Sequence, residues 1–190
     1  MKKFIAIIML FFISNLTFAN PQLETYVNDL LKSTFNILND NKIALEDKKQ
    51  KIKHILKDNL DYVEMSRKTL GRLKNNYSPK ELSDFTATYQ DYVINSYAGS
   101  ISGYNGQKVN IKSAKEISPN NYMVQTVISD GNNQIFNVNY LVKNEGGKFK
   151  VLDVITEGIS LIATQKSEFT GILSNNNIEF LIAQLKAKSS

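Results

Sequence analysis

Asp153 and Glu157, in DVITE, are the first residues whose type and spacing suggest chemistry. Two carboxylates can divide general-acid and general-base roles if a fold holds them either side of a substrate. Here they straddle the expected end of a strand, where a spacing of four fixes no distance, and no complementary donor accompanies them. The structural reading is that Asp153 accepts hydrogen bonds near the strand end and Glu157 holds the turn. His54 is the only histidine and sits among lysines in KIKHILKD, beside an apolar stripe. As a base it would need a partner the sequence does not offer, so it reads as a surface or boundary residue. One histidine and no cysteine leave no transition-metal ligand set. DGNNQ, 130–134, begins like a calcium loop but lacks the later bidentate glutamate. There is no GxSxG elbow, and GYNG and NEGG lack the phosphate-loop pattern and its lysine. No catalytic residue, metal ligand or cofactor is assigned.

The elements that would position a site can be read from periodicity. The chain opens MKKFIAIIMLFFISNLTFAN: two lysines, an apolar run from Phe4 to Ile13, then Thr17-Phe18-Ala19 as a small-x-small cleavage site. That is the pattern of a secretory signal peptide over residues 1–19, an uncleaved anchor being the other reading. Residues 20–190 then form one domain, long enough to bury a core without disulfides. Losing Lys2 and Lys3 lowers the formal charge from +5 to +3. The lysines are interleaved with acids and form no stripe between aromatics, so a nucleic-acid partner is not expected.

From Pro21 to Asp40, Leu23, Tyr26, Val27, Leu30, Leu31, Thr34, Phe35 and Leu38 recur at three and four, one face of a helix. A second helix is expected from about Leu45 to Leu60, and a shorter one over YVEMSRKTLG, closed by Gly71. In YSPKEL, Ser78 can cap a helix, Pro79 takes its first position and Glu81 completes a capping box. Phe85, Tyr89, Tyr92, Val93 and Tyr97 follow on one broad face. Such rings either fill a core or, held rigidly, wall a cavity.

After GSISGYNG the period drops to two. KVNIKSA, NYMVQTVIS, QIFNVNYLV and KFKVLDVI alternate, with turn signals at Asp130-Gly131 and NEGG, as an antiparallel meander does. In the last strand Phe149, Val151, Asp153 and Ile155 oppose Leu152 and Val154. Both sides are apolar, so the inward face stays open. SEFTGIL and NIEFLIAQL end the chain as short apolar segments, the second with helical spacing. The fold class is α+β: N-terminal helices packed on an antiparallel sheet of about four strands, then short C-terminal helices.

Three stretches, in order, resemble the MlaC family, the toluene-tolerance-type periplasmic phospholipid-binding proteins. They are Tyr62 to Gly106, with its LG, its turn into an F…Y helix and its Y-x-G exit; IFNVNYLV, 135–142; and GGKFKVLDVITEGISLIATQKSEF, 146–169. The chain departs from the family at Phe149, often Trp, and at Gln165-Lys166, where a Tyr-Arg pair is usual. Lys166 keeps the charge but not the planar fork of arginine.

The resemblance implies a monomeric periplasmic carrier, not an enzyme, with an open cone-like cavity shielding the acyl chains of a phospholipid cargo. Such a carrier moves lipid between an outer-membrane lipoprotein complex and an inner-membrane ABC transporter complex. Candidate pocket residues are Tyr89, Val93 and Tyr97 on the helix and Tyr104 beyond it. Phe136, Val138 and Tyr140 would join from the third strand, Phe149, Val151 and Ile155 from the fourth. Ile159 and Leu161 would continue the wall past Gly158, and Lys166 would sit at the headgroup mouth. A small isomerase- or hydratase-type enzyme on a similar cavity, or an adaptor with a filled core, are the alternatives.

Overall fold

The computed structural model describes residues 20–130 and 133–189. The export signal expected in residues 1–19 and part of the Asp130-Gly131 turn lie outside them. Among the described residues six α-helices and five strands alternate little: four α-helices, the sheet, then two α-helices.

Helix α1 (Pro21–Asn39) starts where Asn20 Oδ1 accepts from the amide of Gln22 at 2.8 Å, satisfying one of the donors a helix start leaves unpaired. Helix α2 (Leu45–Asn59) runs back along it, and Lys48 Nζ donates to the Leu38 carbonyl at 2.6 Å. Asp61 caps α3 (Tyr62–Leu70), which ends at Gly71 with φ of 57°. The capping box at α4 (Pro79–Ser100) is present as expected. The amide of Glu81 donates to Ser78 Oγ at 3.3 Å, and that of Ser78 donates to Glu81 Oε2 at 2.7 Å.

The sheet is a pure antiparallel meander, β1 (Lys108–Ser118), β2 (Asn121–Asp130), β3 (Asn133–Glu145), β4 (Lys148–Thr156) and β5 (Ile159–Ser160). The expected four strands are its long ones. The fifth has two residues and leads directly into α5 (Leu161–Leu173), which α6 (Ile178–Lys188) follows.

Strand β4 does not keep one alternation. Val142 pairs with Val151 and Leu141 with Asp153, which leaves Leu152 as an extra residue. Such a bulge flips the side-chain parity downstream. Val151 and Val154 therefore share a face, Val154 pairing with Tyr140. The expected set Phe149, Val151, Asp153 and Ile155 is split: Ile155, opposite Asn139, turns to the other side of the sheet.

Glu157 and Gly158 form the two-residue connection between β4 and β5, with φ of 49° and 81°. Two consecutive positive φ values define the tight hairpin turn that suits strand twist, and glycine adopts the second without strain. The strand is broken there because the chain must reverse and cap a helix. Ser160 Oγ accepts from the Ala163 amide at 3.0 Å and donates to Asp153 Oδ2 at 2.5 Å. Asp153 Oδ1 accepts from the Ile162 amide at 3.1 Å.

Below, α4 packs its aromatic face into the helical half. The Phe85, Tyr89 and Phe169 rings meet with centroids about 6.0–6.4 Å apart, the two contacts to Phe169 edge-on. Among the described residues no helix is long and apolar enough to cross a membrane.

Candidate functional site

Helices α1 and α2 lie across the sheet without filling the space beneath them. Between them, α4 and the sheet is an apolar cavity of about 270 Å³. Its cover is Tyr26, Leu30, Leu31 and Phe35 of α1 with Ile55 and Leu56 of α2. Its floor is one sheet face: Val109, Val124, Tyr140, Val142, Val151 and Val154, with Tyr97 of α4 at the side. Val151 and Val154 both reach it because of the Leu152 bulge.

The anchoring of the cover is uneven. In α1 only Leu23 and Val27 are buried, and in α2 only Ile52, whereas α4 buries six residues. Leu30, Leu31 and Phe35 are half-buried because they face a void. Among the described residues, one backbone hydrogen bond ties the end of this layer to the sheet. The amide of Asp61 donates to the Val151 carbonyl at 3.0 Å, beside a parallel bridge from Leu60.

The polar groups of the wall are few. Thr34 Oγ donates to the Leu30 carbonyl and Thr126 Oγ to that of Val138, at 2.8 and 2.7 Å. Burial pushes the Tyr26 and Tyr97 hydroxyls up to about 12 and raises that of Tyr140 as well. All three are neutral at physiological pH. A space walled this way can hold alkyl chains, and it presents no pair of charged groups to act on a bond.

The other residues singled out from the sequence lie elsewhere. Tyr89 and Val93 are in the core, and Tyr89 donates to Gln165 Oε1 at 2.6 Å. Val138 is buried and Phe136 half-buried on the cavity side of β3, but neither borders the space. Phe149 is buried just beyond one end, its ring 5.3 Å from Tyr26. Tyr104 stands outside the other end, 6.3 Å from Phe35, with its hydroxyl donating to Asn39 Oδ1 at 2.9 Å. Leu161 is the first residue of α5 and packs on the core. Ile159 is 67% exposed. Lys166 is exposed on α5 with its stem over Gly71, away from the cavity. The cover residues of α1 and α2 are what sequence reasoning left out: their stripe looks the same whether it meets a core or a hollow.

The carboxylates are structurally committed. Asp153 holds the start of α5, and Glu157 accepts from the main-chain amide of Asn137 in β3. His54 is exposed. Asp61, Glu64 and Glu145 bring carboxylate oxygens within 4.8 Å of one another. Lys143 Nζ lies among them, 2.7 Å from both Glu64 and Glu145, and Asp61 is engaged as the α3 cap. Lys68 Nζ, 3.0 Å from Glu64, adds a second ammonium, so the two glutamates are already ion-paired.

The MlaC protein family model matches residues 28–187. The Haemophilus influenzae intermembrane phospholipid transport system binding protein MlaC is 27% identical over 136 residues, 70% of this chain and 63% of that protein. The Pseudomonas putida toluene tolerance protein ttg2D is 23% identical over 99 residues, 52% of this chain and 46% of its own length. The chain thus spans less than two thirds of either relative. In three dimensions it is similar to a Ralstonia solanacearum phospholipid-binding protein solved with a phospholipid. The TM-score is 0.70 at 18% identity, covering 91% of this chain and 97% of the other. At that identity the likeness is one of fold: helices over an antiparallel meander. With the family pattern running through α1, the sheet and the C-terminal helices, the chain belongs to the MlaC family.

Proposed function

We propose that this protein is a periplasmic phospholipid carrier, exported by residues 1–19, with residues 20–190 acting as one monomeric lipid-binding unit. The observation that carries the reading is the apolar cavity between the α1–α2 cover and the sheet. Water in such a space finds few partners, and an acyl chain gains about 0.8 kcal/mol for each CH₂ it buries. The relatives' names supply the class of cargo. The cavity's 270 Å³ is below the roughly 300–1,000 Å³ of ordinary ligand pockets. Loading therefore parts the cover from the sheet, where α1 and α2 are least anchored.

In this role the protein takes lipid at an outer-membrane lipoprotein complex and exchanges it with an inner-membrane ABC transporter complex, which maintains outer-membrane lipid asymmetry. The lipid is cargo and no cofactor takes part. Asp153 and Glu157, the carboxylates considered for catalysis, are engaged by the α5 start and the β3 backbone.

The test is native mass spectrometry of the exported protein from a bacterial periplasm, followed by organic extraction. The expected result is stoichiometric phospholipid. A folded protein that carries none, and takes none up from liposomes, overturns the reading.

A further inference from the structure

Tyr26 differs from Thr34, Thr126 and Asn59, the non-tyrosine polar side chains of the cavity wall, which are paired. Thr34 and Thr126 donate to carbonyls, and Asn59 Nδ2 donates to the Ile55 carbonyl at 2.8 Å. The Tyr26 hydroxyl is buried and has no partner among the described residues. Leaving a buried donor unpaired is destabilising, and native proteins do so seldom. Tyr62 carries the other such hydroxyl, but it lies in the core and borders no part of the cavity. At Tyr26 the missing partner can come from whatever enters the cavity.

The surroundings of Tyr26 also give the cavity a direction. Tyr26 borders the apolar space and, with Phe149, a shallow open recess of about 520 Å³, whose charged side chains are Lys148 and Lys150 with Asp29 and Asp58. Lys150 Nζ donates to the Asp58 carbonyl, and Lys148 has no ion pair among the described residues. At the opposite end Phe35 and Val109 also border a recess of about 320 Å³. There Tyr104 lies against the Phe35 ring and its hydroxyl is already engaged by Asn39, so among the described residues that end offers no unpaired buried hydroxyl. Tyr26 and Phe35 lie nine positions apart on α1, about 14 Å of helix.

We infer that Tyr26 donates its hydroxyl to an ester oxygen of the cargo. The acyl chains then run from Tyr26 toward Phe35, and the phosphate-bearing end lies in the recess beside Lys148 and Lys150. This rests on the phospholipid reading above and adds the cargo's orientation and its ester linkage. The ring of Tyr26 belongs to the apolar wall; its hydroxyl would be satisfied by a ligand with an acceptor at the glycerol end.

The exported protein and its Tyr26→Phe variant are loaded from vesicles of diacyl phosphatidylglycerol, or of its dialkyl ether analogue, and lipid retention is measured. A neutral hydrogen bond corresponds to about a three- to tenfold preference. The wild type should hold the ester lipid tighter by that factor. Tyr26→Phe should bring the ratio near one without lowering the melting temperature. A ratio near one in the wild type, or unchanged in the variant, overturns the inference. Should the variant fail to fold, headgroup-spin-labelled phosphatidylglycerol bound to the wild type reads the orientation by NMR. Broadening at Gly147, Lys148 and Phe149 is expected. Broadening at Tyr104 and Gln107, or any other pattern in the loaded protein, overturns it. Failure of the wild type to take up either lipid sinks the carrier reading itself.

Discussion

Ser160 donates its hydroxyl to Asp153 Oδ2 at 2.5 Å, and the same carboxylate receives the amide of Ile162 through its other oxygen. The side chain of a buried acid on β4 thereby sets where α5 begins. Asp153→Ala removes charge-assisted bonds and leaves an amide and a hydroxyl without their partner, an expected loss of about 2–3 kcal/mol. Ser160→Ala, which loses the cap to the Ala163 amide, should cost about 1 kcal/mol. Urea denaturation of both variants checks the order. Equal stability of Asp153→Ala and the wild type would remove Asp153 from this role.

Val154 faces the cavity from the floor, so enlarging it should fill the hollow. Val154→Phe is expected to leave the melting temperature unchanged or raised, while reducing lipid carried per protein. Intact-mass measurement after liposome exposure gives the occupancy. A stable variant with full lipid content would mean that cargo does not use this space.

Gly71 combines φ of 57° with a position where a Cβ would lie 2.7 Å from Lys166 Cε. The lysine stem can move, but the backbone angle cannot relax as easily, so Gly71→Ala should cost about 1 kcal/mol. Adding Lys166→Ala should recover only the steric part. Lys166→Ala alone should leave lipid uptake unaltered, because its stem packs on Gly71 and not at the cavity. Thermal melts and liposome uptake of the three variants test both statements.

Burial works against the Glu64 carboxylate, yet hydrogen bonds from Lys143 and Lys68 hold its pKa below the ordinary 4.5. A depressed folded-state value means that this contribution is complete above the unfolded pKa and is lost as pH falls through the folded one. Wild-type stability should therefore decline below pH 4.5, and Glu64→Gln should decline less over the same window. The pair is partly exposed, so the difference is modest and shrinks with added salt. Urea titrations at a series of acid pH values provide the comparison.

Much of the scaffold was legible in the sequence because local chemistry agrees with the tertiary result. Ser78, Pro79 and Glu81 spell a helix start whatever lies above them, and the alternation in QIFNVNYLV calls for a half-buried strand. Three features were not legible. Leu152 is one more apolar residue in an apolar run, so nothing announces that it bulges and carries Val154 to the side of Val151. Ile159 and Leu161 looked like a continued wall, although Ser160 between them was a readable helix cap. The stripe on α1 showed that Leu30 and Phe35 face inward, but periodicity reports direction, not whether atoms wait on the far side.

The unequal anchoring of the helices divides the molecule into a stiff half and a soft one. Helix α4 is clamped through the Phe85, Tyr89 and Phe169 rings and the Tyr89–Gln165 bond, whereas α1 and α2 rest on a hollow. Opening free energy should follow that division. Amide protons in α1 and α2 should exchange by partial opening well before those in α4, whose exchange should wait for global unfolding. Entry to the cavity then draws on the looser half alone, with the Asp61–Val151 link as its fulcrum.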